Sequence, residues 1–339
     1  QVVELEPENL TVTVQAGATP SVLDEVLRPH GLRLPVRALA ADDSTIGGQI
    51  ARNASGPARL ASRTYRDWLI GVRVVLANGE LARIGGKVMK NVSGYDLTKL
   101  YVGSRGAFGA ILEATIRLQP LPETTRWLLV RPDTSATAER FVVKLMRSLV
   151  HPAALELLGG PDAGPALRLL VELAGFREDV DAHLGVASDL ASDLTIPAAE
   201  IGAAESAAIL AEIQAIHTGD SCRIRAGAPR SRLEELWEAV GALESAVGIA
   251  AHAGDGVVLA AFPTSPARAA IEQLRQRTTD FGGYAIVEAG PPDLRRDFAF
   301  PDSNSERPVL TSLKVALDPD TRFSPGRLPI VGSASAGAL

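Results

Sequence analysis

Cysteine is almost absent from this sequence, since Cys222 is the only one among 339 residues. A single cysteine excludes an internal disulfide framework, a CxxC redox pair and a cysteine-ligated iron–sulfur cluster within the chain. Any electron that leaves a redox centre in this chain must therefore pass through another carrier or another subunit.

Long apolar runs and strong charge bias are also missing. No stretch approaches ~18 uninterrupted apolar residues, so the sequence predicts no membrane-spanning helix. The net charge of −6 and the lack of a long basic run argue against a general nucleic-acid binder. Hydrophobic residues make up 46% and charged residues 22%, which is typical of a globular protein. The length suffices for two domains.

The first 120 residues or so predict an α+β unit. Residues 10–14 alternate apolar and polar side chains, as a half-buried strand does. Thr19 and Pro20 suit the N-cap and first position of a helix that Gly31 ends. Asn78-Gly79 lies between two strand patterns and predicts a hairpin. The chain starts with Gln and reaches a strand almost at once, so we expect it to be truncated.

After Pro120 and Pro122 the sequence becomes rich in Ala and Leu, which indicates a second domain over 123–300. Helical and strand patterns alternate there, and we expect an antiparallel sheet with helices on one face. The predicted strands are 127–131, 155–158, 167–173, 223–226, 257–262 and 284–288, and the predicted helices are 136–150, 232–247 and 266–278. A last helix is predicted over 309–317, and the small, polar tail 331–339 is predicted to be disordered.

Three glycine-rich loops lie in the first domain, at residues 44–56, 85–97 and 103–111. Glycine lets a main chain approach a ligand closely, and backbone N–H groups at such turns can hold phosphate oxygens. None of the loops matches the dinucleotide-binding GxGxxG or carries the GK[ST] of a P-loop, which disfavours a Rossmann hydride-transfer enzyme. The alternative is that each loop is only a turn.

Three segments resemble one family. They are GGKVMKNVSGYDLTKLYVGSRGAFGAILEATIRLQPLP at 85–122, STIGGQIARNASGP at 44–57 and LKVALDPDTRFSPGRL at 313–328. The first closely resembles the glycolate oxidase family, most of all its FAD-binding E subunit and somewhat less its D subunit. The other two resemble the central flavin loop and the C-terminal segment of vanillyl-alcohol-oxidase-like, PCMH-type flavoproteins.

This resemblance implies an α+β fold with a PCMH-type FAD-binding domain at 1–122 and an α/β cap domain with an antiparallel sheet at 123–300. It implies that 301–330 returns to the FAD domain and that the first phosphate loop is missing before residue 1. FAD is expected to be non-covalent, because no His or Cys occupies an evident attachment position. We expect a cytoplasmic protein that reaches the inner membrane only through partners.

The resemblance also implies the cofactor-binding residues. Thr45, Gly47 and Gly48 would lie along the flavin and its pyrophosphate, Asn53, Ser55 and Gly56 would continue that wall, and Gly106, Gly109 and Ile111 would supply main-chain contacts. Lys90, Asn91 and Tyr95 lie in the family's most recognisable block without an assigned role. The alternative for that block is a structural helix entry capped by Asp96.

The sequence departs from the family at several positions. Arg63 stands where relatives usually have Gly, and Ser324 replaces the usual Asn before Pro325-Gly326. Relatives carry a block like GHxGDGNxH, whose histidines help bind a metal, and a later EHG. Here His252 survives, whereas Val257, Leu259 and Ala289 replace the Asn and the two other histidines.

His252 is therefore a candidate catalytic base or a histidine of the core, and no metal site is expected. The other histidines lie in unrelated contexts without ligand spacing. They are His30, His151, His183 and His217.

Three functions remain open. The chain would be the FAD-bearing subunit of a glycolate-oxidase complex that relays electrons, with a catalytic flavin subunit and an iron–sulfur subunit as partners. It would otherwise be a self-sufficient FAD-dependent 2-hydroxy-acid dehydrogenase of D-lactate type that uses His252, Arg223 and Arg225. The third possibility is a flavin-free scaffold. A 2-hydroxy acid needs a base at its hydroxyl and a cation for its carboxylate.

Overall fold

The computed structural model describes residues 1–39, 43–86, 96–160, 167–219, 222–243, 246–301 and 306–328. These residues form two compact units. The first unit contains residues 1–55, 63–121 and 306–328, and the second contains residues 56–62 and 122–301. One change of unit falls between Leu121 and Pro122, beside the prolines that the sequence analysis singled out. The sequence did not indicate that residues 56–62 group with the second unit.

The secondary structure is mixed. The strands are β1 (Val2–Glu6), β2 (Thr11–Gln15), β3 (Leu32–Arg33), β4 (Leu69–Val75), β5 (Leu81–Gly85), β6 (Ala110–Arg117), β7 (Gln119–Pro120), β8 (Thr124–Val130), β9 (Ala154–Gly159), β10 (Arg168–Gly175), β11 (Ala198–Ile201), β12 (Cys222–Gly227), β13 (Gly248–His252), β14 (Val257–Phe262) and β15 (Tyr284–Ala289). The helices are α1 (Pro20–Leu27), α2 (Ile46–Arg52), α3 (Arg59–Ser62), α4 (Tyr65–Trp68), α5 (Ser135–Arg147), α6 (Arg177–Asp193), α7 (Ala203–Thr218), α8 (Leu233–Gly241), α9 (Arg268–Asp280), α10 (Pro292–Phe298) and α11 (Arg307–Leu317). Within the described ranges, no helix is both long and apolar enough to cross a bilayer.

In the first unit, the local sequence signals form the elements that they predict. Helix α1 begins after Thr19 with Pro20 in its first turn, and Gly31 adopts a left-handed φ of 68° just beyond it. Gly79 has a φ of 85° in the turn between β4 and β5, a conformation that glycine adopts without steric cost. The predicted helix, hairpin and β2 strand are thus confirmed.

The first unit is built on an antiparallel sheet with the strand order β1-β2-β6-β4-β5 among the described residues. Alternating side chains of these strands enter one core with α1 and α2; Val12 and Val14 of β2 are at most 1% exposed. Helix α11 packs partly buried leucines against the same core, although it follows the second unit in sequence. The C-terminal segment therefore belongs structurally to the first unit.

The second unit is built on a sheet of order β11-β8-β10-β9-β13-β14-β12-β15, and every described pairing in it is antiparallel. This confirms the predicted antiparallel sheet. The side chains of β13 and β14 are buried throughout, so helices cover both faces there.

The prediction that the helices lie on one face is wrong for α7. A Cβ placed on Gly248 of β13 would touch Ile216 of α7, at 2.9 Å. The next residue, Ile249, points the other way and lies 3.7 Å from a Cβ placed on Gly241 of α8. Because neighbouring strand residues point to opposite faces, α7 and α8 lie on opposite sides of the sheet.

Candidate functional site

A cleft in the first unit is lined almost entirely by small residues. Its volume is about 260 Å³, and its lining residues are Ala16, Gly17, Thr45, Gly47, Gly48, Ala51, Gly106, Gly109, Ala110 and Ile111. The structure thus brings together six of the nine residues that the sequence assigned to the cofactor, from two distant loops. The other four lining residues, Ala16, Gly17, Ala51 and Ala110, were not assigned from the sequence, because they carry no polar side chain that would mark them.

Thr45 and the two glycines after it form the start of α2. Thr45 caps the helix, and its Oγ1 accepts a hydrogen bond from the Gly48 N–H at 3.1 Å. The Gly47 N–H donates to the Ala16 carbonyl oxygen at 2.8 Å. Both N–H groups are therefore bonded within the protein, so this turn contributes space to the cleft rather than free donors.

The glycines of the cleft have different structural roles. These roles follow from the atoms that an added Cβ would contact at each position. At Gly47 the Cβ would lie 2.6 Å from the Ala16 Cβ, so this glycine allows α2 to approach β2. At Gly109, whose φ is 152°, it would lie 2.8 Å from the Val75 carbonyl oxygen. At Gly48 it would meet only Thr45 Oγ1, at 3.3 Å. Gly48 therefore keeps cleft space open, whereas Gly47 and Gly109 permit close backbone packing.

The residues that follow α2 do not line this cleft. Asn53 ends the helix in the left-handed conformation with a φ of 48°, which asparagine tolerates better than most residues. The Ser55 carbonyl accepts from the Leu39 N–H at 3.3 Å. The Gly56 carbonyl accepts from the Arg59 N–H at 2.8 Å at the start of α3. Contacts of Asn53, Ser55 and Gly56 with a flavin stay a prediction.

The second glycine-rich loop is described only at its ends. Lys90, Asn91 and Tyr95 lie outside the described residues. Asp96 accepts a hydrogen bond from the Thr98 N–H at 3.2 Å and caps a short 3₁₀ helix, Leu97–Leu100. The predicted cap at Asp96 is thereby confirmed.

A buried polar cluster lies on the α7 face of the second unit's sheet. His252 of β13 pairs in register with Glu156 of β9, and its Nδ1 lies 2.8 and 2.9 Å from the two Glu156 carboxylate oxygens. The His252 and Glu156 side chains are only 2% and 1% exposed. The carboxylate fixes the orientation of the imidazole and leaves Nε2 as its second functional atom.

Helix α7 adds a second histidine to this cluster. The His217 ring lies 5.5 Å from the His252 ring, centroid to centroid, with the planes tilted by 37°. Neither Nε2 atom has a hydrogen-bond partner among the described residues. The expectation that His217 lies in an unrelated context is therefore wrong. No group of three or more histidine, cysteine or acidic side chains in the described part of the chain is placed to hold a metal ion.

Two arginines of β12 lie on the same face. Arg225 Nε binds Glu288 Oε1 at 2.6 Å, and the Arg223 guanidinium donates to the Gly219 carbonyl. Arg225 is the cross-strand neighbour of Leu259, and Arg223 is that of Ala289. The two positions where the family pattern has histidine thus lie next to arginines.

Burial dominates the titration of this cluster. It raises the pKa of Glu156 above the ordinary range, although the adjacent His252 opposes that shift. Burial also lowers the pKa of His217 well below that of a free imidazole, and the charges of His252, Arg225 and Arg223 add to the effect. His217 is therefore a neutral imidazole at pH 7.

A signal for His217 was present in the sequence. Ile209, Ile213 and Ile216 recur at the spacing of one helix face, and His217 follows directly. The helix around them is rich in alanine and has few polar residues, so this buried face is hard to recognise in the sequence.

Comparison with known proteins agrees with this architecture. A family described as "FAD binding domain" matches residues 1–85. Glycolate oxidase subunit GlcD of Bacillus subtilis (strain 168) is 29% identical over 363 residues, which cover 97% of this chain and 77% of that protein.

Other relatives match over a smaller part. D-lactate dehydrogenase of Archaeoglobus fulgidus is 37% identical over 155 residues, 46% of this chain and 34% of that protein. Glycolate oxidase subunit GlcE of Escherichia coli (strain K12) is 34% identical over 125 residues, 39% of this chain and 36% of that protein. These matches span only about a third of each relative.

A solved structure has the same fold. Alkyldihydroxyacetonephosphate synthase superposes with a TM-score of 0.69 at 16% identity, covering 95% of this chain and 65% of that one. The matched FAD-binding domain and this structural likeness show that the chain has the PCMH-type fold of FAD-binding proteins.

Proposed function

We propose that this chain is the FAD-binding subunit of a glycolate-oxidase-type complex that oxidises small 2-hydroxy acids, and that it relays electrons rather than oxidising substrate itself. Its partners are a catalytic flavin subunit and an iron–sulfur subunit. The relatives named as glycolate oxidase subunits support the complex. The presence of one cysteine supports the need for an external electron carrier.

The small-residue cleft fits a flavin cofactor. Gly48 leaves space that a side chain would fill, and Gly106 and Gly109 hold backbone angles of 76° and 152° that side chains disfavour. Thr45, Gly48 and Ile111 would line the bound FAD, which supplies a two-electron acceptor. Asn53, Ser55 and Gly56 would continue that wall by resemblance to the family. A scaffold without flavin would not need this open cleft.

The observation that carries the relay function is the internal pairing of the second unit's polar groups. A 2-hydroxy acid needs a free cation for its carboxylate and an accessible base for its hydroxyl. Arg225 is bound to Glu288 at 2.6 Å, and His252 is bound to Glu156 and only 2% exposed. Leu259 and Ala289 stand at the positions of the two missing histidines. Arg225 and the buried His252 are thus both engaged by carboxylates of the protein rather than open to a substrate.

The second candidate is a self-sufficient FAD-dependent 2-hydroxy-acid dehydrogenase of D-lactate type. It is favoured by one arrangement, in which Glu156 orients His252 and leaves the buried Nε2 without a partner. An imidazole held by a carboxylate is a common general base. His217, Arg223 and Arg225 would then position the substrate.

The test compares dye-linked oxidation of glycolate and D-lactate by the isolated FAD-loaded chain and by the complex purified from its host. The relay function predicts that the isolated chain oxidises both acids at least ~10²-fold more slowly than the complex. This is the factor by which loss of a general base typically lowers the rate. Comparable rates would refute it.

The variant His252→Gln sharpens this comparison. It should leave turnover of the complex within about twofold if the chain only relays electrons, and lower it by ~10²–10⁴-fold if His252 is the base. His151→Gln, at an exposed position, is the matched control. Flavin content and thermal melting of each variant show whether the protein is folded and loaded.

A further inference from the structure

Lys314 is a buried lysine whose ammonium group has three protein partners. The residue lies on α11 and is 4% exposed. Its Nζ donates to the Ala107 carbonyl at 2.8 Å, the Phe323 carbonyl at 2.7 Å and Asp318 Oδ2 at 2.5 Å. An ammonium group has three donors, so each of them is used. A buried charge is tolerated only when it is paired and hydrogen-bonded in this way.

Asp318 organises the turn that follows α11. Its Oδ1 accepts from the Arg322 N–H and its Oδ2 from the Phe323 N–H, both at 2.8 Å. The turn then brings Ser324 to the third glycine-rich loop, where its Oγ lies 3.1 Å from a Cβ placed on Gly106. The Lys314–Asp318 pair therefore fixes a segment that contacts this loop at two points.

The loop that Lys314 holds is a wall of the cleft. Ala107 lies between Gly106 and Gly109, and both glycines line the cleft. The other side of the loop is fastened to α2, because the Gly103 N–H donates to Ile50 and the Arg105 N–H to Ala51, at 3.0 and 2.8 Å. The loop is thus held between α2 and the C-terminal segment, and the ammonium of Lys314 joins that segment to the Ala107 carbonyl.

We propose that Lys314 is a positioning residue for FAD: its ammonium sets the place of the 103–109 loop, and through it the affinity of the cleft for the cofactor. This inference rests on FAD binding in the cleft. Lys314 does not line the cleft itself, so its effect passes through the Ala107 carbonyl. The C-terminal segment is then part of the cofactor site, although it is distant in sequence from the FAD-binding domain.

The test separates FAD affinity from fold stability. Lys314→Met removes the bond to Ala107, and FAD affinity is measured by flavin fluorescence titration beside thermal melting of the flavin-free protein. The matched control is Ile116→Ala, a fully buried change in the same core at the far end of β6 from Ala110. Lys314→Met should raise the Kd for FAD at least ~10-fold, whereas the control lowers melting temperature but keeps Kd within about twofold. Equal Kd values for the two variants would overturn the proposal.

A second variant guards against misfolding. Lys314→Met leaves Asp318 as an unpaired buried charge, which is strongly destabilising. Lys314→Met with Asp318→Asn is neutral at both positions and keeps an acceptor oxygen for one of the two backbone N–H groups. This double variant should also bind FAD at least ~10-fold more weakly, because the bond to Ala107 is still missing. Parental affinity would overturn the role of Lys314, and a full-length parent that binds no FAD would overturn the cofactor site itself.

Discussion

Replacing His217 by Gln should remove a large part of the acid sensitivity of this protein. His217 is 9% exposed, and burial holds its pKa well below the ordinary value of 6.5. The unfolded chain therefore binds a proton between pH 6.5 and the folded pKa, while the folded protein does not. Stability is full above pH 6.5 and falls as the pH drops below it, because protons favour the unfolded state.

The size of the effect follows from linkage. One group that is protonated only in the unfolded state changes the free energy of unfolding by at most about 1.4 kcal/mol per pH unit. The charges of His252 on β13 and of Arg225 and Arg223 on β12 lower the pKa of His217 further, in the same direction as burial. Between pH 6.5 and 5.5 the unfolded imidazole goes from half to almost fully protonated, so His217 should cost about 1 kcal/mol over that unit.

The assay is urea unfolding at pH 7.5, 6.5 and 5.5 for three proteins. The parent should lose stability steeply below pH 6.5, and His217→Gln should lose about 1 kcal/mol less over that last unit. Gln keeps a polar side chain but does not titrate. His151→Gln, at an exposed position, should follow the parent. A His217→Gln variant with the parental slope would show that the imidazole is protonated in the folded state, and the burial argument would fail.

Substitutions at Gly48, Gly47 and Arg63 test the first unit. Gly48→Val should raise the Kd for FAD at least ~10²-fold without loss of flavin-free stability, because its side chain enters the cleft; Gly47→Ala should instead lower stability, since its Cβ would meet Ala16. Full FAD occupancy of Gly48→Val would remove this loop from the cofactor site. Arg63→Gly should raise the free energy of unfolding by up to about 1 kcal/mol, because Arg63 has a φ of 56°. Arg63→Ala is its control, and an equal gain there would exclude backbone strain as the cause.

The sequence predicted the first unit better than the second because its signals are local. The Asn78-Gly79 turn, the cap at Thr19 and the alternation in β2 each involve neighbouring residues. The structure confirms the turn and the strand, and it places Thr19 at the N-cap position of α1 without a capping hydrogen bond from its side chain. The departures from the family pattern at Arg63 and Ser324 also fall at positions of unusual backbone conformation. Both residues have a positive φ, 56° and 39°. Glycine and asparagine, the residues expected there, favour that conformation.

The polar cluster of the second unit could not be predicted in this way. Its members come from β9, α7, β12 and β13, and only the strand order places β9 beside β13. Glu156 lies inside a strand of leucines and has no motif around it. His217 joins the cluster because α7 covers the face of the sheet opposite α8. The alternation of helices and strands in the sequence does not reveal which face a helix covers. Register and helix placement, rather than spacing, create the site.

The pairing of Glu156 and His252 bears on the choice between the two candidate functions. Glu156 holds His252 Nδ1 at 2.8 and 2.9 Å, and neither side chain is more than 2% exposed. Burial raises the pKa of Glu156, so this part of the sheet disfavours added negative charge. Arg225 is already bound to Glu288 at 2.6 Å. A 2-hydroxy acid would therefore have to reach a buried imidazole and displace Glu288 from Arg225, which favours the electron-relay subunit over the self-sufficient dehydrogenase.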